Sequence, residues 1–277
     1  MASNSSPYNA AASSARQGMR EAATINCTDL VLHFSTGGTS LKVLDHVSVA
    51  VGPGELLCIV GPSGCGKTTV LNIVAGLLKP TSGSITIDEE TVRDVRRDVA
   101  YMTQKDTLLP WLTAIRNVFL PLEAKGVRDR SMQRARELLD VVGLKGFEDH
   151  FPHQLSGGMR KRVQLARSLA QEPRVLLMDE PFGALDYQTK QLMHERFLDI
   201  WGHDRKTVLF VTHDLNEAIV LADRILLTSN RPARVREIFD VAIPRPRRME
   251  ELVDDSEYRK LYHTIWRMLR RDFEEAS

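Results

Sequence analysis

Eight consecutive residues carry the clearest chemistry in this sequence: Gly61-Pro62-Ser63-Gly64-Cys65-Gly66-Lys67-Thr68. Glycine, four residues, glycine, lysine and a hydroxyl residue is the spacing that turns backbone N–H groups inward onto phosphate oxygens. Lys67 offers a cation to the β- and γ-phosphates, and the Thr68 hydroxyl offers a ligand to Mg²⁺. Thr69 extends the nucleotide-contacting run that starts at Gly61, and the helix start adds its partial positive charge. The motif requires a strand before it and a helix after it. Glu55 to Val60 is an apolar run short enough for a buried strand, while Val70, Leu71, Val74, Leu77 and Leu78 recur at helical spacing until Pro80 forbids continuation. A chain with this arrangement binds a nucleoside triphosphate.

Two carboxylates stand where such a loop needs them. Val175-Leu176-Leu177-Met178 reads as a strand and ends in Asp179-Glu180. At the carboxyl end of a parallel strand both acids face the nucleotide crevice. Asp179 is assigned to the metal, directly or through water, and Glu180 to orienting and deprotonating the attacking water. Without the phosphate loop, adjacent acids at a loop start would read as ordinary solvated charges. His213 follows the apolar run Val208 to Val211, so its imidazole can reach the γ-phosphate or the water. Leu155-Ser156-Gly157-Gly158-Met159 opens a helix whose free N–H groups and small hydroxyl make a second phosphate-binding device. Alone, Ser156-Gly157-Gly158 would be no more than a cap.

The elements that must position these groups alternate along the chain. Residues 1–24, rich in Ser, Ala and Asn, read as a disordered tail. Leu30 to Phe34 and Val43 to Val51 read as strands separated by a loop from Ser35 to Ser40. Phe34 is either strand core or an aromatic placed to stack on a purine. Gly83 to Ile87 and Asp98 to Met102 are further strands, with Gln104 directly after. Residues 113–171 are mainly helical, and three apolar runs ending at Met178, Val211 and Leu227 then alternate with helices, the pattern of a parallel sheet with crossovers. Beyond Pro246, Tyr258, Leu261, Tyr262, Ile265, Trp266 and Leu269 mark an amphipathic helix, packed on protein because its charges are mixed.

Composition narrows the classes. The 277 residues allow one large domain with a smaller appended part. Basic and acidic side chains, 37 and 36, leave a formal charge of +1. The basic surplus of a nucleic-acid binder is missing, and Arg160-Lys161-Arg162 reads as solvated charge on an exposed helix face. No apolar run approaches the roughly 18 residues needed to cross a bilayer, so membrane association must go through a partner. Cys27, Cys58 and Cys65 lack metal-ligand spacing, which fits a reduced, cytoplasmic setting. Cys65 lies beside a helix start and Lys67, surroundings that favour a thiolate; alkylation is expected to block activity unless nucleotide protects, or else Cys65 is only a tolerated loop residue.

With Phe34, the phosphate loop, Gln104, Leu155 to Met159, Asp179-Glu180, Ala184-Leu185-Asp186 and His213 in this order, residues 26 to 230 resemble the ATP-binding subunit of an ATP-binding-cassette (ABC) transporter. The resemblance implies an α/β P-loop NTPase cassette with a mixed β core, a small antiparallel β subdomain and a helical subdomain. It places the ATPase domain at 25–245, the helical subdomain inserted at about 105–171, and a C-terminal helical segment at 246–277. By resemblance, Phe34 stacks on the base, Gln104 senses Mg²⁺ and γ-phosphate, Leu155 to Met159 form the signature motif, and His213 is the switch histidine. Lys67, Gln104, Glu180 and His213 are the catalytic set, and Thr68, Gln104 and Asp179 hold the metal. Met159 stands where the family usually has Gln, and Phe34 where it usually has Tyr; neither departure touches a catalytic group.

The family's mechanism pairs two such subunits head to tail, each signature helix capping the ATP held by the other's phosphate loop. The implied partners are a second copy of the chain, integral permease subunits and, indirectly, an external solute-binding protein, at the cytoplasmic face of the inner membrane. Leu108-Leu109-Pro110-Trp111-Leu112-Thr113 is similar to importers of nitrate, sulfonates and taurine, as are Leu221 to Arg224 and Ser229 to Pro232. Leu108 to Trp111 are either the groove for a permease helix or core of the helical subdomain. The competing class is a soluble ABC ATPase acting on DNA or ribosomes. Fewer than roughly a hundred residues, without sustained heptads, separate Gly61 from Ser156, and the chain holds one cassette, so that class is disfavoured.

Overall fold

The computed structural model describes residues 22–36, 39–124 and 131–275. The expected tail falls almost wholly outside them. Where the description begins, Ala23 is already buried and the Thr24 N–H donates to Asp88 Oδ1 at 2.8 Å.

Two sheets organise the chain. The first is antiparallel, with β1 (Ile25–Thr36), β2 (Thr39–Val51), β4 (Ser82–Ile87) and β5 (Glu90–Thr91) in the order β2-β1-β4-β5. Val47, Val49 and Val51 alternate onto its buried face, as a period of two requires. The hairpin is tighter than the expected loop, since Ser35 pairs with Ser40 and Thr36 with Thr39. Hydroxyl residues carry no apolar signal, yet their backbone groups still need partners, and the ladder supplies them.

The second sheet has the order β10-β9-β3-β8-β7-β6, built from β3 (Leu56–Val60), β6 (Val99–Met102), β7 (Val175–Asp179), β8 (Thr207–Val211), β9 (Arg224–Thr228) and β10 (Val235–Asp240). The pairings β3–β8, β3–β9, β6–β7 and β7–β8 are parallel, and β10 runs antiparallel to β9 at the edge. Every residue of β3, β7 and β8 is buried, which is why these strands read as continuous apolar runs rather than alternations. Half-buried and carrying Arg236, Glu237 and Asp240, β10 gave no such signal.

Helix α1 (Lys67–Val74) leaves the phosphate loop and stops earlier than Pro80 demands. Gly76, at φ +73°, turns the chain, because a Cβ there would lie 2.3 Å from the Asp94 carbonyl oxygen. Leu77 is therefore exposed. The expected helical region contains α2 (Ala114–Ala124), α3 (Ser131–Val141) and α4 (Gly157–Ala170), whose apolar faces share one core with Leu108 and Leu155. Then come α5 (Tyr187–His203), α6 (Leu215–Leu221), α7 (Met249–Leu252) and α8 (Ser256–Glu275). Among the described residues no helix is long and apolar enough to cross a membrane.

The C-terminal helix packs along most of its expected face, while Trp266 on that face stays exposed. Tyr258, Ile265 and Leu269 are buried, and the Tyr258 hydroxyl donates to Asn216 Oδ1 on α6. Arg247 closes the other end of α6. It is buried and donates to the carbonyls of Ile219, Ala222, Val241 and Ile243, so one guanidinium ties two carbonyls at the helix end to two of the following segment, while Arg245 takes the Leu221 carbonyl. Burial pushes its pKa down to about 10.

Arg247→Met leaves those buried carbonyls without their donor. Unfolding free energy from a urea titration should fall by about 2–4 kcal/mol; a loss under about 1 kcal/mol would show that water replaces the guanidinium.

Candidate functional site

The phosphate loop joins β3 to α1 at the carboxyl edge of the parallel sheet. Gly66, at φ +127°, takes a conformation closed to residues with a Cβ. A Cβ on Gly61 would meet the Thr228 hydroxyl at 2.0 Å, so β9 and the loop are in direct contact. Inside the loop the buried Lys67 ammonium donates to the carbonyls of Gly61 at 2.8 Å and Pro62 at 2.7 Å. The Thr68 hydroxyl donates to Asp179 Oδ2 at 2.8 Å, so phosphate loop and acid pair meet as expected. Asp179 is buried, and that burial pushes its carboxyl pKa up, against the Thr68 hydrogen bond that lowers it.

These two oxygens suit Mg²⁺. Cis ligands of an octahedral ion with bonds near 2.05 Å stand about 2.9 Å apart, and Mg²⁺ favours one or two protein oxygens completed by substrate phosphates. Among the described residues no cluster of three His, Cys, Asp or Glu would build an all-protein cage.

Glu180 lies one residue beyond β7 in left-handed backbone, φ +47°, a conformation that costs a non-glycine residue about 1 kcal/mol or more and is found where geometry is over-determined. Its N–H donates to the Val211 carbonyl at 2.9 Å, extending the β7–β8 ladder and fixing where the side chain leaves the sheet. Gln104 Nε2 donates to Glu180 Oε2 at 3.2 Å, and His213 Nδ1 lies 3.2 Å from Glu180 Oε1. Gln104, Glu180 and His213, expected separately, form one cluster around a carboxylate.

The segment holding His213 is anchored by groups the sequence reading passed over. Thr212 Oγ1 accepts the Asp214 N–H at 3.0 Å and donates to Glu217, whose other oxygen receives His194 Nε2 at 2.9 Å. Asp214 caps α6 through the N–H groups of Asn216 and Glu217, and Lys190 on α5 reaches Asp214 Oδ2 at 3.3 Å. Glu217 and His194 are buried, so this carboxylate is structural and keeps its partners in a dry interior. Local sequence gave one hint: an acid three residues into a capped helix normally faces solvent, and here the surrounding run Leu215 to Leu221 is apolar.

Ser156 caps α4, its Oγ accepting the Met159 N–H at 3.2 Å, with its side chain exposed. A Cβ on Gly158 would lie 2.7 Å from Leu185 Cδ2, so the Ser156-Gly157-Gly158 end abuts the Ala184-Leu185-Asp186 turn. Phe34 and Trp111 are 42% and 69% exposed, so neither is core; Leu108 is.

One expectation is overturned. Arg160-Lys161-Arg162 is not a solvated face. Lys161 is buried and donates to the carbonyls of Thr103 and Gln104, Arg160 pairs with Asp106 at 2.7 Å, and Arg162 reaches the Gly143 carbonyl at 3.0 Å. Burial pushes the Lys161 pKa down. Of the two readings of Cys65, burial favours the tolerated loop residue. Its sulfur is buried 3.2 Å from the Thr228 hydroxyl, because β9 packs over the loop from below.

Comparison with known proteins gives the site its context. A family model described as ABC transporter matches residues 44–183. The nitrate import ATP-binding protein NrtD of Synechococcus elongatus is 38% identical over 263 residues, 91% of this chain and 95% of that one. The taurine import ATP-binding protein TauB of Pseudomonas fluorescens is 46% identical over 201 residues, 72% of this chain and 76% of that one. Among solved structures, an ATP-binding cassette captured as a dimer in a post-hydrolysis state with ADP and Pi matches with a TM-score of 0.73 at 33% identity. It aligns with 79% of this chain and 100% of its own.

Iodoacetamide should modify Cys65 roughly 100-fold more slowly in the native protein than in denaturant, since labelling waits on local opening. Peptide mass spectrometry reads this; equal rates would mean that the loop does not hold its closed form in solution.

Proposed function

The chain belongs to the ABC transporter family of ATP hydrolases, and from that premise we propose that it is the energy-coupling subunit of a membrane importer for a small solute of the nitrate, sulfonate or taurine class. The observation that carries the site assignment is the cluster on Glu180. One carboxylate, supported by Gln104 and His213, stands beside the Thr68–Asp179 pair.

ATP is the substrate. Gly61 to Thr69 cradle its phosphates, Lys67 supplies the cation, and Phe34, with its ring exposed, stacks on the base. Mg²⁺, when bound, neutralises phosphate charge; Thr68, Asp179 and Gln104 are the residues that would hold it. Glu180 orients the attacking water and takes its proton, and His213 orients the reacting end from the opposite side of that carboxylate. Asp179, paired with the Thr68 hydroxyl, stays out of proton transfer.

In this reading Ser156, Gly157 and Gly158 do not serve the cradle of their own chain. They suit the nucleotide of a second copy facing head to tail, in keeping with the dimeric cassette that this fold resembles. ATP then belongs to the interface and holds it while the γ-phosphate is present. Permease subunits receive the motion through the groove around Trp111, whose exposed indole is free to contact them. The chain works at the cytoplasmic face of the membrane, bound through those permeases, and an external binding protein delivers the solute.

Glu180→Gln should bind ATP, form a stable ATP-dependent dimer in light scattering, and lose turnover by roughly 10²–10⁴-fold. Near-normal steady-state hydrolysis in that variant refutes the assignment of the base. Trp111→Glu should keep the melting temperature of the isolated subunit and abolish co-purification with permeases. A collapse in stability would instead return Trp111 to the core.

A further inference from the structure

One face of α4 grips the segment from Thr103 to Thr107. Arg160 Nε lies 2.7 Å from Asp106 Oδ2, and Lys161 Nζ donates to the Thr103 carbonyl at 3.0 Å and to the Gln104 carbonyl. Gln164 Nε2 reaches the Lys105 carbonyl at 3.1 Å, and Arg167 Nη1 the Thr107 carbonyl at 2.8 Å. Positions 160, 161, 164 and 167 follow the helical repeat, so the grip is continuous along α4. Lys161 alone among these bonds Gln104 itself. It is 8% exposed, and an ammonium so buried is tolerated only where its protons are hydrogen-bonded.

The first turns of the same helix carry two points of consequence. Its start carries Ser156 and Gly157; little more than a turn later Lys161 holds the backbone of Gln104, whose amide reaches Glu180. We propose that Lys161 is a positioning residue for hydrolysis, transmitting the placement of α4 through the Thr103 and Gln104 carbonyls to the Gln104 amide and so to Glu180 of its own protomer. Taken with the reading in which Ser156 caps the partner's nucleotide, on which this consequence rests, engagement of one nucleotide sets the base at the other. The long flexible stem with three donors suits two carbonyls on adjacent residues, which a planar guanidinium would match less well.

Steady-state ATPase of the full chain tests this with Lys161→Met and Lys161→Gln, each also made in Gln104→Ala. Lys161→Met should lower kcat roughly 10- to 100-fold by misplacing the base's support, with KM for ATP and the melting temperature little changed. Lys161→Gln, whose amide keeps two N–H donors, should return kcat to within about threefold of the wild type. In the Gln104→Ala background Lys161→Met should cost less than about twofold, because its effect runs through Gln104. Wild-type kcat in Lys161→Met, or losses that multiply in the double variant, overturn the proposal. So does a loss that only follows the melting temperature. Should Lys161→Met not fold, Lys161→Asn, polar but too short to reach both carbonyls, takes its place in the same cycle. Light scattering of Glu180→Gln with ATP separates the two levels. A persistent monomer there removes the consequence for paired sites, while a dimer with unchanged Lys161→Met turnover removes only the role of Lys161.

Discussion

In the proposed mechanism, hydrolysis depends on holding one carboxylate in position while leaving it able to accept a proton. Glu180 meets the first demand through its backbone, pinned to β8 in a left-handed conformation just beyond a strand buried on both faces. The second is met by letting the side chain stand at the edge of the sheet, with the Gln104 amide donating to one oxygen and the His213 ring 3.2 Å from the other. Asp179, one residue earlier, has the opposite environment: buried, bonded to Thr68, with a pKa raised by desolvation. Glu180 has left the strand that still holds Asp179, so a single peptide step separates two carboxylates in opposite environments, the proposed metal ligand and the proposed base.

The two supports of Glu180 come from segments far apart in sequence. Parallel strands deliver β3, β7 and β8 to one edge, which brings the phosphate loop, the acids and the segment of His213 together without any of them being long. Gln104 arrives from β6 at the same edge, and its backbone carbonyl accepts from Lys161 on α4. His213 is governed instead by a buried network through Thr212, Glu217 and His194. The two neighbours of this carboxylate are therefore held separately, Gln104 through a helix of the helical region and His213 through a buried network beside the sheet.

Much of this was legible in the sequence because the relevant signals are local. The phosphate loop needs glycine at positive φ and a flanking strand and helix, all within a score of residues, and the strands buried on both faces announce themselves as apolar runs. Half-buried β10 and the hydroxyl-rich turn of the first hairpin did not, since their stability comes from pairing rather than from apolar pattern. The buried cations were the hardest to see. Nothing in Arg160-Lys161-Arg162 or Arg247 distinguishes a guanidinium facing water from one saturated by carbonyls, because the acceptors lie tens of residues away or at helix ends whose position depends on the fold. Cys65 stayed open to two readings for a related reason: its loop neighbours suggested reactivity, while β9 decides access.

Arg247 and Tyr258 have a thermodynamic corollary. They grasp α6 at its far end and on its flank, and α6 begins two residues past His213. The carboxyl-terminal helix is thus no loose appendage that frays before the rest. Amide protons of α6 and α8 should exchange with a shared protection factor, and a protease should find the two either both intact or both gone.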